Sequence, residues 1–342
     1  DAIEILLERG ANVNQVGGTH GCALIYAILK RKCNPDNNLV QRLLDAGADV
    51  NIQCGMYGCP VAESPRPNNL HLVEKLLYLG ADVNAAAGTH GSPLILAVRE
   101  GDIDVFRLLL ARDANTNALY KSPLRSAIER PFRSALEVVA EISADTMFNE
   151  LLENGADAAV NDSAAVVACA RAGNTAGVIA LLDRGANIHI QQGVPGKALH
   201  EAARECQLGT VKLLLERGVD VNSTGGKHGN ALIAALSNPD HYGENLVASL
   251  LLDAGAGVNS PPSEKYTSPL HSAIYNQHFG VAQRLIDDGA DVNAHDPRFG
   301  TALTAAYFHG MVDMMKRLVE MGAEPSLAGR KYGLVVGSSI AH

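Results

Sequence analysis

One nonapeptide recurs along this chain and restricts what it can fold into. It reads LLDAGADVN at residues 43–51. Altered copies stand at 6–14, 76–84, 109–117, 151–159, 181–189, 214–222, 251–259, 285–293 and 318–326, ten copies in all. The turn glycines fall at 10, 47, 80, 155, 185, 218, 255, 289 and 322, with Asp113 in the fourth place. Successive gaps are 37, 33, 33, 42, 30, 33, 37, 34 and 33 residues. A period near 33 predicts small units that cannot bury their apolar faces alone and do so by stacking.

The chemistry of the unit predicts its local structure. Two leucines close an amphipathic helix. The glycine after them takes the left-handed conformation, which is costly for any residue with a Cβ. Asp113 belongs to the few types that tolerate it. The Ala-Asp-Val-Asn run then leads into a loop. A second signature follows each loop: SPLILA (92–97), SPLRSA (122–127), KALHEA (197–202), NALIAA (230–235), SPLHSA (268–273) and TALTAA (301–306). Ser-Pro there predicts an N-cap with proline at the first helical position. The Leu and Ala share one helix face, and the small Ala admits a neighbouring helix. The order is short helix, longer helix, glycine stop, hairpin-like loop, next short helix.

With the SPLHSA and KALHEAA starts, the Gly-Asp and Gly-Asn pairs at 101–102 and 173–174, and the LLxxGADVN ends, the chain resembles the ankyrin repeat family. The resemblance covers essentially the whole chain. It implies an all-α solenoid of about ten helix–turn–helix units with projecting hairpin-like loops. It also implies a single array over residues 1–342. Residues 1–14 start within a second helix, and 327–342 start a unit whose second helix is absent. Both end repeats are thus incomplete, and a fragment of a longer protein is expected. GTHGSPL (88–94) and GGKHGNAL (225–232) look most like the ankyrin arrays of filamentous fungi, which often follow a nucleotide-binding signalling domain.

Composition excludes some functions and leaves others open. At 342 residues, length alone suggests two domains, but a stacked array has no single core to saturate. The chain is 47% hydrophobic with only 4% aromatic residues and no Trp, which suits Ala- and Leu-rich helix interfaces. Its net charge of −9 argues against general affinity for phosphate backbones, so no nucleic-acid partner is expected. Six cysteines at 22, 33, 54, 59, 169 and 206 show no framework spacing, and free thiols of a cytoplasmic or nuclear protein are expected. No run reaches the ~18–20 apolar residues of a membrane span.

Three units depart from the pattern. In 52–84, Val61 replaces the usual Leu, and Pro65 and Pro67 fall where the short helix should run. That helix is expected to be short or absent. In 118–155, the stretch 131–152 reads as an elongated or divided second helix. In 156–189 the gap is three residues short, which predicts a stunted loop. The units 52–84 and 118–155 are expected to be points of low stability. Units 15–51 and 223–259 match each other, each with an NPD segment and a gap of 37.

No GxxxxGK loop or GxSxG elbow is present, so no catalytic residue and no cofactor are expected. Cys54, Cys59 and His71 lack the spacing of a zinc site. The candidate positions are those for a protein partner. At the last turn of each short helix, beneath the loops, stand Arg99 and Glu100, Glu129 and Arg130, Arg171, and Arg204 and Glu205. Leu29-Lys30, Arg66 and Phe308-His309 take the same place in other units. Arg pairs with carboxylates and stacks on rings, so such a strip can anchor a partner or serve as a solvated face. A second column lies at the loop tips: Tyr57, Tyr120, Tyr266, Phe299 and Tyr332, with His20, His90 and His228 in equivalent places. These rings either contact a partner or pack on the neighbouring loop. The expected function is non-catalytic protein recognition by the concave face and loop tips. The alternative is the regulatory arm of a nucleotide-binding signalling protein whose catalytic domain precedes residue 1, with intramolecular contact to it.

Overall fold

Helices follow one another in inner and outer pairs along most of the described chain. The computed structural model describes residues 2–18, 21–30, 38–54, 58–66, 69–85, 91–121, 132–187, 198–225, 229–238, 245–259, 268–295 and 300–324. The chain divides into two compact units. The first comprises Asp1–Ala165 and Arg184–Ala186, and the second Val166–Asp183 and Asn187–His342.

The first unit opens with α1 (Ala2–Glu8). Then come four pairs of an inner and an outer helix: α2 (Ala23–Lys30) with α3 (Leu39–Asp45), α4 (Pro60–Glu63) with α5 (Leu70–Tyr78), α6 (Pro93–Glu100) with α7 (Ile103–Leu110), and α8 (Ala135–Glu141) with α9 (Asp145–Glu153). Each inner helix packs on the next, from α2 to α8. The helix α10 (Val160–Ala172) contains the point of division. The second unit continues with α11 (Thr175–Asp183) and then four pairs: α12 (Ala198–Arg204) with α13 (Leu208–Glu216), α14 (Ala231–Leu236) with α15 (Leu246–Asp253), α16 (Pro269–Tyr275) with α17 (Phe279–Asp287), and α18 (Ala302–Phe308) with α19 (Val312–Glu320). Its inner helices stack α12, α14, α16, α18, and its outer helices α11, α13, α15.

The expected start signature holds wherever it is described. Ser92 and Ser268 cap α6 and α16, accepting from the amides of Ile95 and His271, and Pro93 and Pro269 follow at the first turn. Asn230 and Thr301 cap α14 and α18 in the same way. Ala97, Ala202, Ala235, Ala273 and Ala306 are wholly buried, as close approach of helices requires. Asp113 has φ 61°, the conformation that glycine takes in the other copies.

The last residue of the nonapeptide has a task that spans repeats. Asn222 donates its amide to the carbonyl of Gly255 at 3.0 Å and accepts from the amide of Gly257 at 2.8 Å. Asn14, Asn51, Asn84 and Asn117 make the same two bonds in the first unit. Asn259 and Asn293 continue the ladder in the second. Each rung satisfies a carbonyl that the helix end leaves open. We expect Asn222→Ala to cost about 1 kcal/mol, because two exposed bonds revert to water. Urea denaturation against Asn222→Asp, which keeps the acceptor and loses the donor, checks this by placing the Asp variant between the two.

The irregular units resolve as follows. The helix α4 has four residues, as the prolines demand. A turn at Ala158–Ala159 runs straight into α10, so the loop of that unit is indeed stunted. The stretch 131–152 is divided, but its first part is not an outer helix. Ser134 caps α8, accepting from the Glu137 amide at 3.2 Å, and α8 packs on α6 in the inner row. An inner helix therefore starts at Ser-Ala-Leu (134–136), and SPLRSA (122–127) lies outside the described residues. The strands β1 (Tyr120–Lys121) and β2 (Phe132–Arg133) pair antiparallel ahead of it, with Tyr120 opposite Arg133. Residues 122–131, the first NPD segment (34–36) and residues 239–240 of the second lie outside the described residues.

Candidate functional site

Within each unit the last turns of the inner helices form a candidate surface. In the first unit Arg99 and Glu100 are exposed at the end of α6. Lys30 ends α2 and stands 5.7 Å above the ring of Tyr26. Arg66 follows the short α4 and binds Glu63 at 2.8 Å, and Glu63 itself is fully buried. Glu129 and Arg130 lie outside the described residues, and the place expected for them at the end of an inner helix belongs to Glu141 and Ile142 of α8. Ile142 is exposed.

Glu141 belongs to a polar cluster. Arg133 bridges Glu137 at 3.1 Å and Glu141. Asn161 donates to the Glu137 carboxylate at 3.0 Å and to the carbonyl of Phe132 at 2.8 Å. Burial opposes the charge on Arg133, yet its bond to Glu141 and the charge of Glu137 hold its pKa above the ordinary value. This guanidinium braces β2 against α8.

In the second unit Arg171 is half-buried near the end of α10. Arg204 ends α12 between Glu201 at 3.0 Å and Glu205 at 2.5 Å, so its charge is already met by two carboxylates. The next two positions carry asparagines that tie inner helices together. Asn238 donates to the Arg204 carbonyl at 3.0 Å and Asn276 to that of Leu236 at 2.8 Å. Beside them Tyr275 and Phe308 project, 38% and 55% exposed. His309 meets the Tyr275 ring edge-on at 5.8 Å. Sequence reasoning missed Tyr275, although laying SPLHSAIYNQ on SPLILAVREG places it opposite Arg99.

Of the loop-tip rings, Tyr120 alone falls among the described residues; Tyr57, Tyr266 and Phe299 do not. Tyr120 is buried. A Cβ on Gly91 would lie 2.9 Å from its Cβ and Cγ, so the ring packs on the loop of the preceding repeat. Burial raises its phenol pKa against the pull of Arg133 and Arg99. It is a packing residue rather than a free contact.

An open cleft of about 540 Å³ lies between the start of α5 and the α6–α7 turn, lined by Leu70, His71, Glu100 and Gly101 to Asp104. Asp102 caps α7 there, accepting from the Val105 amide at 3.1 Å. His71 is fully exposed and contacts Glu74, away from the buried Cys54 and Cys59. Among the described residues no group of three His, Cys, Asp or Glu is arranged to hold a metal, and no helix is long and apolar enough to cross a membrane.

Paired helices, capped starts and an asparagine-bridged turn define a helical repeat array built for recognition. The chain belongs to the ankyrin repeat family: a model of ankyrin repeats matches residues 136–225, 199–296 and 231–328, and a single-repeat model matches 91–121. Its fold is an all-α ankyrin solenoid, and ankyrin repeats are protein-interaction modules. Similar proteins include an ankyrin repeat and KH domain-containing protein of Caenorhabditis briggsae, 31% identical over 42% of this chain and 5% of its own length. The ankyrin repeat domain-containing protein M-T5 of Myxoma virus is 31% identical over 39% of the chain and 28% of its own length. Human ankyrin repeat and SOCS box protein 16 is 33% identical over 44% and 34%. The chain thus spans about a third or less of each of these relatives.

Proposed function

We propose that this chain is a non-catalytic protein-recognition module of the cytoplasm or nucleus, which binds its partner through the last turns of its inner helices. One observation carries this reading. The side chains that repeat are engaged inside the stack, as caps, buried Leu and Ala, and asparagine rungs. The positions that differ from unit to unit, Arg99, Glu100, Arg171, Arg204, Glu205, Tyr275 and Phe308, stand at one equivalent site with part of their surface open. A stacked scaffold holds them in place before binding, so little ordering entropy is lost on association.

Crosslinking capture from lysate of the source cell tests it. The bait is the chain itself, against a variant with Arg99, Arg204, Tyr275 and Phe308 changed to Ala. A protein captured by the first should be lost, or weakened at least tenfold, with the second. Equal capture by both would move recognition away from this surface. A second reading rests on the GTHG and GKHG loops, which look like arrays attached to nucleotide-binding signalling domains. There the array controls a domain of its own chain, and a GxxxxGK segment in the complete coding sequence is the observation it requires.

A further inference from the structure

Three of the buried thiols gather at one place in the first unit. Cys22 precedes α2, while Cys54 and Cys59 flank the loop before α4. They are 6%, 1% and 0% exposed. Two loops meet there: Gly17 donates to the Gly21 carbonyl at 2.6 Å, and Cys54 to that of Gly58 at 2.6 Å. A Cβ placed on Gly21 would lie 2.3 Å from the Cβ of Cys54, so the backbone beside Cys22 rests directly on that cysteine. Cys22 follows Gly21 directly, so the two cysteines belong to loops of adjacent repeats that pack against each other. Such an approach of two loops from adjacent repeats is the first requirement of a disulfide between them.

We infer that Cys22 and Cys54 form a reversible inter-repeat disulfide when the chain meets a small-molecule disulfide oxidant. The thiolate of Cys22, the more exposed of the two, attacks the oxidant. A mixed disulfide forms, and one small thiol leaves with a proton. Cys54 then attacks the Cys22 sulfur, the new S–S bond closes and the second small thiol leaves with the proton of Cys54. The protein loses two hydrogens and the oxidant gains them. Burial first, then Cys22 and the charges of Cys59 and Asp49, push the Cys54 thiol up to about 12. The closing step is therefore slow, and the reduced pair is stable until oxidant persists. The bond would pin the loop ahead of α4, at four residues the shortest of the described inner helices, to the repeat before it. Intracellular disulfides that act in this way are transient and redox-sensing.

The test treats the native chain with excess glutathione disulfide to completion, alkylates the remaining thiols, digests, and maps the products by mass spectrometry. Free thiols should fall from six to four. One cross-linked peptide pair should join Cys22 to the peptide holding Cys54, lighter by two hydrogens than its parts. Cys59→Ser should keep that cross-link, whereas Cys54→Ser and Cys22→Ser should each abolish it. The oxidised chain should melt at a higher temperature than the reduced one, and a thiol reductant should reverse both changes. A Cys54–Cys59 or Cys22–Cys59 bond, mixed disulfides alone, or six thiols remaining after treatment would each overturn the assignment. The unmutated chain supplies the decisive readout, so a variant that fails to fold does not remove the test.

Discussion

Leu214→Ala is expected to destabilise the second unit by about 2–5 kcal/mol, the range for truncating a buried leucine. The side chain is wholly buried on α13, and α13 touches α12, α11 and α15. Removal forfeits the transfer of its methyl groups and leaves a cavity that three helices cannot all close. The effect should be local, because in a stacked array each repeat contacts only its neighbours. Hydrogen exchange should show the added opening in α12 to α15 and little change in the first unit. Affinity for a partner, counted per folded molecule, should stay the same. A loss below about 1 kcal/mol would mean that the site collapses around the gap or that the leucine is not packed as described.

Arg133→Ala is expected to cost about 3–5 kcal/mol, since it takes the cation out of a largely buried ion cluster and leaves Glu137 the neutral Asn161 amide in its place. Glu137 is 7% exposed and Glu141 29%, and both bind this one guanidinium. Without it, two carboxylates face each other beside β2 and disfavour each other's charge. Arg133→Ala combined with Glu137→Gln should recover part of the loss at neutral pH. Urea denaturation of the three proteins checks both statements. A deficit that Glu137→Gln leaves unchanged would show that packing, not charge, is what Arg133 supplies.

Much of this architecture is legible in single residues. Ser92-Pro93 and Ser268-Pro269 mark helix starts because a hydroxyl cap and a fixed φ act locally. The prolines of 52–84 shorten α4 for an equally local reason. The first part of 131–152 was misread as outer helix because RSALEVVAE is as apolar as the outer helices. Only α6 shows that it is inner, by accepting α8 as its neighbour. The candidate surface was half legible. Arg99 and Glu100 stand exposed as their position predicts, whereas Arg204 and Arg66 are already bound by carboxylates.

The sequence by itself determined the repeat, its period, its family and the ends of most helices. Each of these rests on interactions within a few residues, repeated often enough to be seen. The tertiary structure alone decided that the recurring asparagines bridge to the next repeat, that Tyr120 packs on the loop at Gly91, and that Gly21 rests on Cys54. Those facts depend on residues some thirty positions apart brought together by stacking, as in the reach from Asn222 to Gly255. Spacing along the chain says which residues recur, but only packing says which of them touch.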